Sequence, residues 1–216
     1  DQETTQQALN MITSDPKSDL RYSTVLFNPV WHKGIVGIVA SRMIESYYKP
    51  TIILTETEGK ITGSARSVKD FDLCATLEQC AEYLLQFGGH KYAAGLTMDK
   101  KNLQAFTEKF ESIAARTISP EQRIPTLEIE AEINFQHLTP KFLRVLEKFA
   151  PHGPSNLNPL FVSRGILDSG WAQIIGQNHL KLNVFQNQNP NLQFPAMAFN
   201  MAHTIDAIQK QVPMDI

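Results

Sequence analysis

Cysteine is nearly absent: Cys74 and Cys80 are the only two among 216 residues, too few for a disulfide framework or a four-thiolate zinc site. Their flanks have helical periodicity, so both read as buried helix thiols in a reducing, cytoplasmic setting. Also missing are any apolar run near the ~20 residues that cross a bilayer and any charged-then-apolar leader, so no membrane partner is expected. Basic excess is lacking too, with 20 Lys+Arg against 22 Asp+Glu. Nucleic-acid contact would therefore have to come from a local patch. Among Asp, Glu, His and Cys no spacing assembles a metal centre, neither His-Glu-x-x-His nor a paired carboxylate cluster. The chain shows no hydrolytic engine of its own, and no metal is expected to bind it. No internal repeat or low-complexity tract stands out.

What is present is an alternation of strand and helix signals. Ser23 to Phe27 is a β-branched run ended by Asn28-Pro29. Gly34 to Tyr48 carries apolar residues at near-helical spacing and stops at Pro50. A buried strand, Thr51 to Thr55, follows, and Glu58-Gly59 turns the chain into a further strand, Lys60 to Ser64. Asp72 is a candidate N-cap for a helix whose Leu73, Leu77, Cys80, Ala81 and Leu84 share one face. A glycine loop, a short strand around Leu96-Thr97-Met98 and a helix with Leu103, Phe106, Phe110 and Ile113 complete an α/β domain over 21–117. The opening, 1–20, reads as a polar helix without an evident partner, as if cut from a longer chain.

Residues 118–124 have the polar, proline-bearing composition of a linker. Beyond it, over 125–216, Leu127, Ile129, Ala131 and Ile133 alternate with polar residues as in a half-buried strand, and Leu138 to Phe149 reads as a helix. Short strands are expected at 161–167, 171–175, 180–185 and 194–199, which suggests a small barrel. Met214-Asp215-Ile216 looks like the start of another strand, so the barrel is expected to be incomplete.

The most informative stretch is Phe87-Gly88-Gly89-His90-Lys91-Tyr92-Ala93-Ala94-Gly95. It joins a side chain able to hydrogen-bond a phosphate to residues almost without side chains. Gly88 and Gly89 can take positive φ and expose N–H groups to an anion, while Ala93, Ala94 and Gly95 let another element pack closely. The plainer alternative is a tight turn ahead of a strand. Gly63-Ser64-Ala65-Arg66-Ser67 ends a strand, where ligand sites in α/β sheets tend to lie. Arg66 offers a planar fork suited to phosphate, with hydroxyls at Ser64 and Ser67; a surface ion pair is the alternative. Trp31-His32-Lys33-Gly34-Ile35-Val36-Gly37 precedes a helix whose N-terminal amides could hold an anion. His32 there is a substrate contact or a satisfied structural residue, and Arg42, two turns on, a binding residue or a solvated charge.

In order along the chain, Trp31-His32-x-Gly34-x-x-Gly37-Ile38-Val39-Ala40-Ser41-Arg42, Gly63-Ser64-x-Arg66-Ser67 with Phe71-Asp72-Leu73, and Phe87-Gly88-Gly89-His90-x-x-Ala93-Ala94-Gly95 resemble the C-terminal part of the RecJ-type exonucleases, single-stranded-DNA-specific enzymes of the DHH phosphoesterase superfamily. Gly153-x-x-Asn156-x-x-Pro159-x-Phe161 and Gly176-x-x-His179-Leu180-Lys181-Leu182 extend the resemblance over nearly the whole chain. It implies an α/β DHH-associated domain, a mixed sheet with flanking helices, followed by an OB-like barrel that guides single-stranded DNA. It further implies that Gly88, Gly89 and His90 contact phosphate near the cut and that Ser64 and Arg66 hold the 5′ phosphate. The Mn or Mg of such enzymes belongs to a DHH domain whose motifs do not occur here, so this chain should bind but not cut. A single-strand-binding protein or a helicase are further candidate partners. Lys33 and Ala65 stand where proline and glycine are more usual, and Pro154-Ser155 and Leu157 replace the commoner Gln-Gly and Pro. Phe185, Trp171 and Phe161 are candidates for base stacking, with core packing the alternative and the one favoured for Phe161. The rival readings are a non-catalytic single-strand-binding or scaffold module, and a phosphodiesterase for cyclic dinucleotides or very short oligonucleotides.

Overall fold

The computed structural model describes residues 1–153, 155–210 and 212–216; Pro154 of the Asn-Pro segment lies outside them. By its contacts the chain divides into two units, Asp1–Thr126 and Leu127–Ile216.

The first unit opens with α1 (Gln2–Thr13). This polar helix has a partner after all. Ala8 and Ile12 are buried against Trp31, Val36, Val39, Ala40 and Met43, and the Trp31 indole N–H donates to Gln7 Oε1 at 2.8 Å. Strand β1 (Thr24–Phe27) leads through α2 (Val36–Tyr47) to β2 (Thr51–Thr57), which pairs with β1 in parallel. Helix α2 ends where Tyr48 turns left-handed, two residues before Pro50. Glu58 and Gly59, both at positive φ (52° and 74°), make the two-residue turn that a type I′ hairpin requires and return the chain into β3 (Lys60–Arg66).

Asp72 caps α3 (Leu73–Glu78), accepting from the Ala75 amide at 3.0 Å. The helix does not continue to Leu84 as its apolar spacing suggested. After a 3-10 turn at Ala81–Tyr83 the chain becomes β4 (Leu84–His90), hydrogen-bonded to β5 (Ala93–Met98). The glycine segment is therefore not a loop: Gly88 and Gly89 lie within an edge strand, and only Lys91 and Tyr92 form the turn. Ladder pairing with β5 overrides the local helical pattern. Helix α4 (Leu103–Thr117) buries Phe106, Phe110, Ile113 and Ala114. Ile118 is buried with them, so residues 118–126, read as a linker at their start, stay with the first unit. The sheet order is β1-β2-β3-β5-β4, with one parallel and three antiparallel pairs.

In the second unit the alternating run 127–133 yields only the short β6 (Ala131–Glu132), parallel to an equally short β7 (Phe161–Val162), and Leu127 remains 79% exposed. The expected strand 161–167 is split because Gly165 turns at φ 64°, separating β7 from β8 (Ile166–Asp168). Between β6 and β7 Thr139 caps α5 (Pro140–Leu146), accepting from the Phe142 amide. Strands β9 (Gln173–Ile175), β10 (His179–Gln186) and β11 (Asn189–Ala198) follow, then α6 (Ile205–Gln209). β10 is central, pairing antiparallel with β8, β9 and β11. Its Leu180, Leu182 and Val184 join Phe135, Ile166 and Ile208 in the core. Met214 pairs with Ile166, extending the sheet by one bridge.

Candidate functional site

Residues opposite one another in a sheet point to the same side, and chain neighbours to opposite sides. One face of the five-stranded sheet is closed: Leu54, Ile61, Leu96 and Met98 pack beneath α3 and α4 with Phe106 and Phe110. On the other face α2 lies over β2 and β3, where Ile53 meets Val39 and Met43. Among the described residues no helix covers β5 and β4 on that side, and three cross-strand rows run from β3 onto this bare part: Arg66–Ala93–His90, Ser64–Gly95–Gly88 and Thr62–Thr97–Gln86. The register thus brings Ser64, Arg66, Gly88 and His90 onto one surface. Arg66 and His90 flank the middle strand, about 10 Å apart at strand spacing.

Arg66 is half-buried. Its Nη1 donates to Ser64 Oγ at 2.8 Å and to its neighbour's carbonyl, Ala65 O, at 2.9 Å. A Cβ on Gly37 would stand 3.0 Å from Arg66 Nη2 and 3.2 Å from Ser64 Oγ, so the first turn of α2 rests directly on the pair. A guanidinium beside the positive end of a helix is electrostatically unfavourable unless an anion lies between them. Among the described residues no carboxylate pairs with Arg66. His90, at the turn, is exposed; its Nδ1 accepts from the Tyr92 amide at 3.3 Å, which leaves the Nε2 proton of the neutral ring available to a ligand.

Gly89 sits at φ 154°, and a Cβ there would overlap the Ala93 carbonyl and stand 2.6 Å from Ala94 Cα. Gly88 has ordinary negative φ, against expectation, and a Cβ on it would meet nothing within 4 Å. The expectation of close packing behind Gly95 fails likewise: its outer side is open, and only the Gly63 carbonyl, at 3.9 Å, is near.

Two other candidates are occupied elsewhere. Ser67 donates its hydroxyl to Phe71 O at 2.7 Å, closing the 67–71 turn, and that proton cannot also serve a phosphate. Arg42 pairs with Asp1 at 2.9 Å and reaches Thr5, pinning α1 to α2. His32 is exposed and its Nδ1 accepts from the Gly34 amide at 3.0 Å, shaping the loop before α2 and leaving Nε2 open as at His90. Sequence reasoning missed Lys33, Thr97 and Gln86, which line a groove of about 340 Å³ on the bare face with Gly88 and Gly95; only the cross-strand register assembles them. A larger groove of about 670 Å³ lies between Arg21, Lys100 and Glu111, three charges that are already engaged. Arg21 pairs with Asp15, Lys100 with Glu56, and Glu111 accepts from the Tyr22 and Ser23 amides.

In the second unit Trp171 is 71% exposed. Phe185 is half-buried, and Phe161 packs edge-on against Phe142 at 5.4 Å. Among the described residues no group of three or more His, Cys, Asp or Glu could hold a metal ion, and no helix is long and apolar enough to cross a membrane.

A family model of the DHHA1 domain matches residues 19–116, and one of the RecJ OB domain matches 129–216. The chain is 31% identical over 183 residues to the single-stranded-DNA-specific exonuclease RecJ of Bacillus subtilis, covering 82% of this chain and 23% of that protein. It is 33% identical over 152 residues to the protein of the same name from Thermus thermophilus, covering 70% and 21%. A crystal structure of RecJ from Thermus thermophilus in complex with Mn2+ matches with a TM-score of 0.66 at 30% identity, over 83% of this chain and 26% of that one. The Mg2+ complex from the same organism matches at 0.67 and 27% identity, over 91% and 30%. The chain spans about a quarter of the length of these relatives.

Proposed function

Because this chain carries a DHHA1 domain followed by a RecJ OB domain, we propose that it is the substrate-binding part of a single-stranded-DNA-specific 5′→3′ exonuclease of DNA repair and recombination. The bare sheet face of the first unit holds the DNA phosphates, and the second unit guides the strand. Arg66 carries the reading: a half-buried guanidinium braced by Ser64, set against a helix N-terminus and without a carboxylate partner among the described residues, is a seat for a dianionic 5′ phosphate. His90 contributes one further donor through Nε2 to a neighbouring phosphate.

The Thermus thermophilus structures are complexes with Mn2+ and Mg2+. The described residues here do not fit such an ion, so the divalent metal that would activate water is assigned to protein outside this chain. Single-stranded DNA is the partner; a single-strand-binding protein or a helicase would meet the same strand, and the setting is cytoplasmic.

Titration of the chain with 5′-phosphorylated and 5′-hydroxyl oligothymidylates tests the assignment. Arg66→Ala should remove a preference for the phosphorylated strand of on the order of tenfold or more, the worth of a charge-assisted hydrogen bond. His90→Ala should weaken both strands alike. Equal loss on both strands for Arg66→Ala would reduce Arg66 to a general backbone contact and overturn the 5′-phosphate assignment.

A further inference from the structure

We infer that the groove beside the Arg66 row is a second, separate phosphate subsite, in which Lys33, Thr97 and Gln86 hold an internal phosphate of the strand. The inference rests on the reading of this face as a DNA site and extends it from one phosphate to two. The groove, about 340 Å³, is lined by Lys33 on the loop before α2 and by Thr62, Thr97 and Gln86 in one cross-strand row, with no carboxylate in its lining. Lys33 is exposed and has no ion-pair or hydrogen-bond partner among the described residues, and the same holds for the Thr97 hydroxyl and the Gln86 amide. Thr62 is partly engaged, its hydroxyl 3.4 Å from Leu96 O. An ammonium, a hydroxyl and a carboxamide converge on one concavity, and each can donate to an oxyanion.

The floor supports the same conclusion. Gly88 and Gly95 line the groove, yet neither is glycine for the protein's own sake. Neither has positive φ, and a Cβ on either would meet at most one atom, at 3.9 Å. What the absence of side chains provides there is open space beside backbone, which a sugar–phosphate chain can occupy. The Thr62 row lies four residues along β3 from Arg66, about 13 Å at the rise of a strand. One phosphate cannot reach both ends. A ligand that engages both Arg66 and the groove must carry at least two phosphates on an extended backbone, which separates an oligonucleotide from a mononucleotide.

A set of 5′-phosphorylated tetrathymidylates, each with one internal phosphate replaced by a neutral methylphosphonate, tests this against the wild-type chain, Lys33→Met, Lys33→Arg and Arg66→Ala. One internal position should cost the wild type about threefold in affinity, the size of an exposed ion pair. That cost should vanish in Lys33→Met and return in Lys33→Arg, a coupling that locates the contact. The slope of log K against log salt should also become shallower in Lys33→Met by about 0.7, the loss of one phosphate contact. The subsite is overturned if Lys33→Met keeps the wild-type slope and the same methylphosphonate penalties while Arg66→Ala still loses its 5′-phosphate preference. If neither Lys33→Met nor Arg66→Ala alters binding, the DNA reading of the whole face falls with it.

Discussion

Leu54, Leu96 and Phe87 face one side of the five-stranded sheet, while their chain neighbours Ile53, Gly95 and Gly88 face the other. The first side is filled with large apolar side chains under two helices. The second is apolar at Ile53 beneath α2 and from β3 onward becomes hydroxyl, amide, guanidinium and glycine. The glycines make the contrast sharp. On the packed side a Cβ at Gly63 would overlap the Ile53 carbonyl and crowd Leu54, and one at Gly89 would drive into Ala93 and Ala94. On the bare side Gly88 and Gly95 have room to spare. The same residue type sits in two settings: locked into the protein's own packing on one face, and beside open space on the other.

The largest expected effect breaks the packed face. Phe110 is fully buried, edge-on to Phe71 at 6.5 Å and stacked on Phe106 at 6.0 Å. Phe110→Ala should cost the first unit about 3–5 kcal/mol, read as a lower urea midpoint. A loss under about 1 kcal/mol would mean that this face does not hold the unit together.

Next in size is a pH effect from the same interior. Burial pushes the Cys80 thiol up to about 11 from about 9. The folded state thus keeps a proton that the unfolded chain releases, and stability falls as pH rises from about 9 to 11 and not beyond. At about 1.4 kcal/mol per pH unit the loss is about 3 kcal/mol. Urea midpoints across that range should fall more steeply for the wild type than for Cys80→Ala, and parallel curves would place the thiol in contact with water.

How much of this was legible follows local against distant causes. The run Thr51–Thr55, the α2 spacing, the Asp72 cap and the Glu58-Gly59 turn are written within a few residues, and each element formed where its pattern lies. β4 was misread as the end of a helix plus a loop, because Leu73, Leu77, Cys80 and Leu84 keep helical spacing while the deciding bonds come from β5. The partner of α1 was invisible for a similar reason: Gln7 meets Trp31, 24 residues away. At the site, the residue types of Ser64, Arg66, Gly88 and His90, which the proposed phosphate contacts require, are readable locally. That Ser67 and Arg42 are spent on Phe71 and Asp1, and that Lys33 lines one groove with Thr97 and Gln86, appears only with the tertiary contacts.

The smallest effect in stability separates the two faces most cleanly. Gly88→Ala and Gly95→Ala place a methyl where the backbone permits it and nothing obstructs it. The less flexible unfolded chain should then leave either variant unchanged or more stable by about 0.4–1 kcal/mol. Gly89→Ala, one residue along the same strand, meets Ala94 Cα at 2.6 Å and an unfavourable φ, and should lose more than about 1 kcal/mol. DNA binding should divide differently: the stable Gly88→Ala and Gly95→Ala proteins should bind single-stranded oligothymidylate more weakly, because their methyl groups occupy the groove floor. Urea midpoints and oligonucleotide affinity measured on the same three variants decide it. A Gly88→Ala protein that binds like the wild type would show that the bare face is merely uncovered, and one that unfolds would show that its glycine serves packing as Gly89 does.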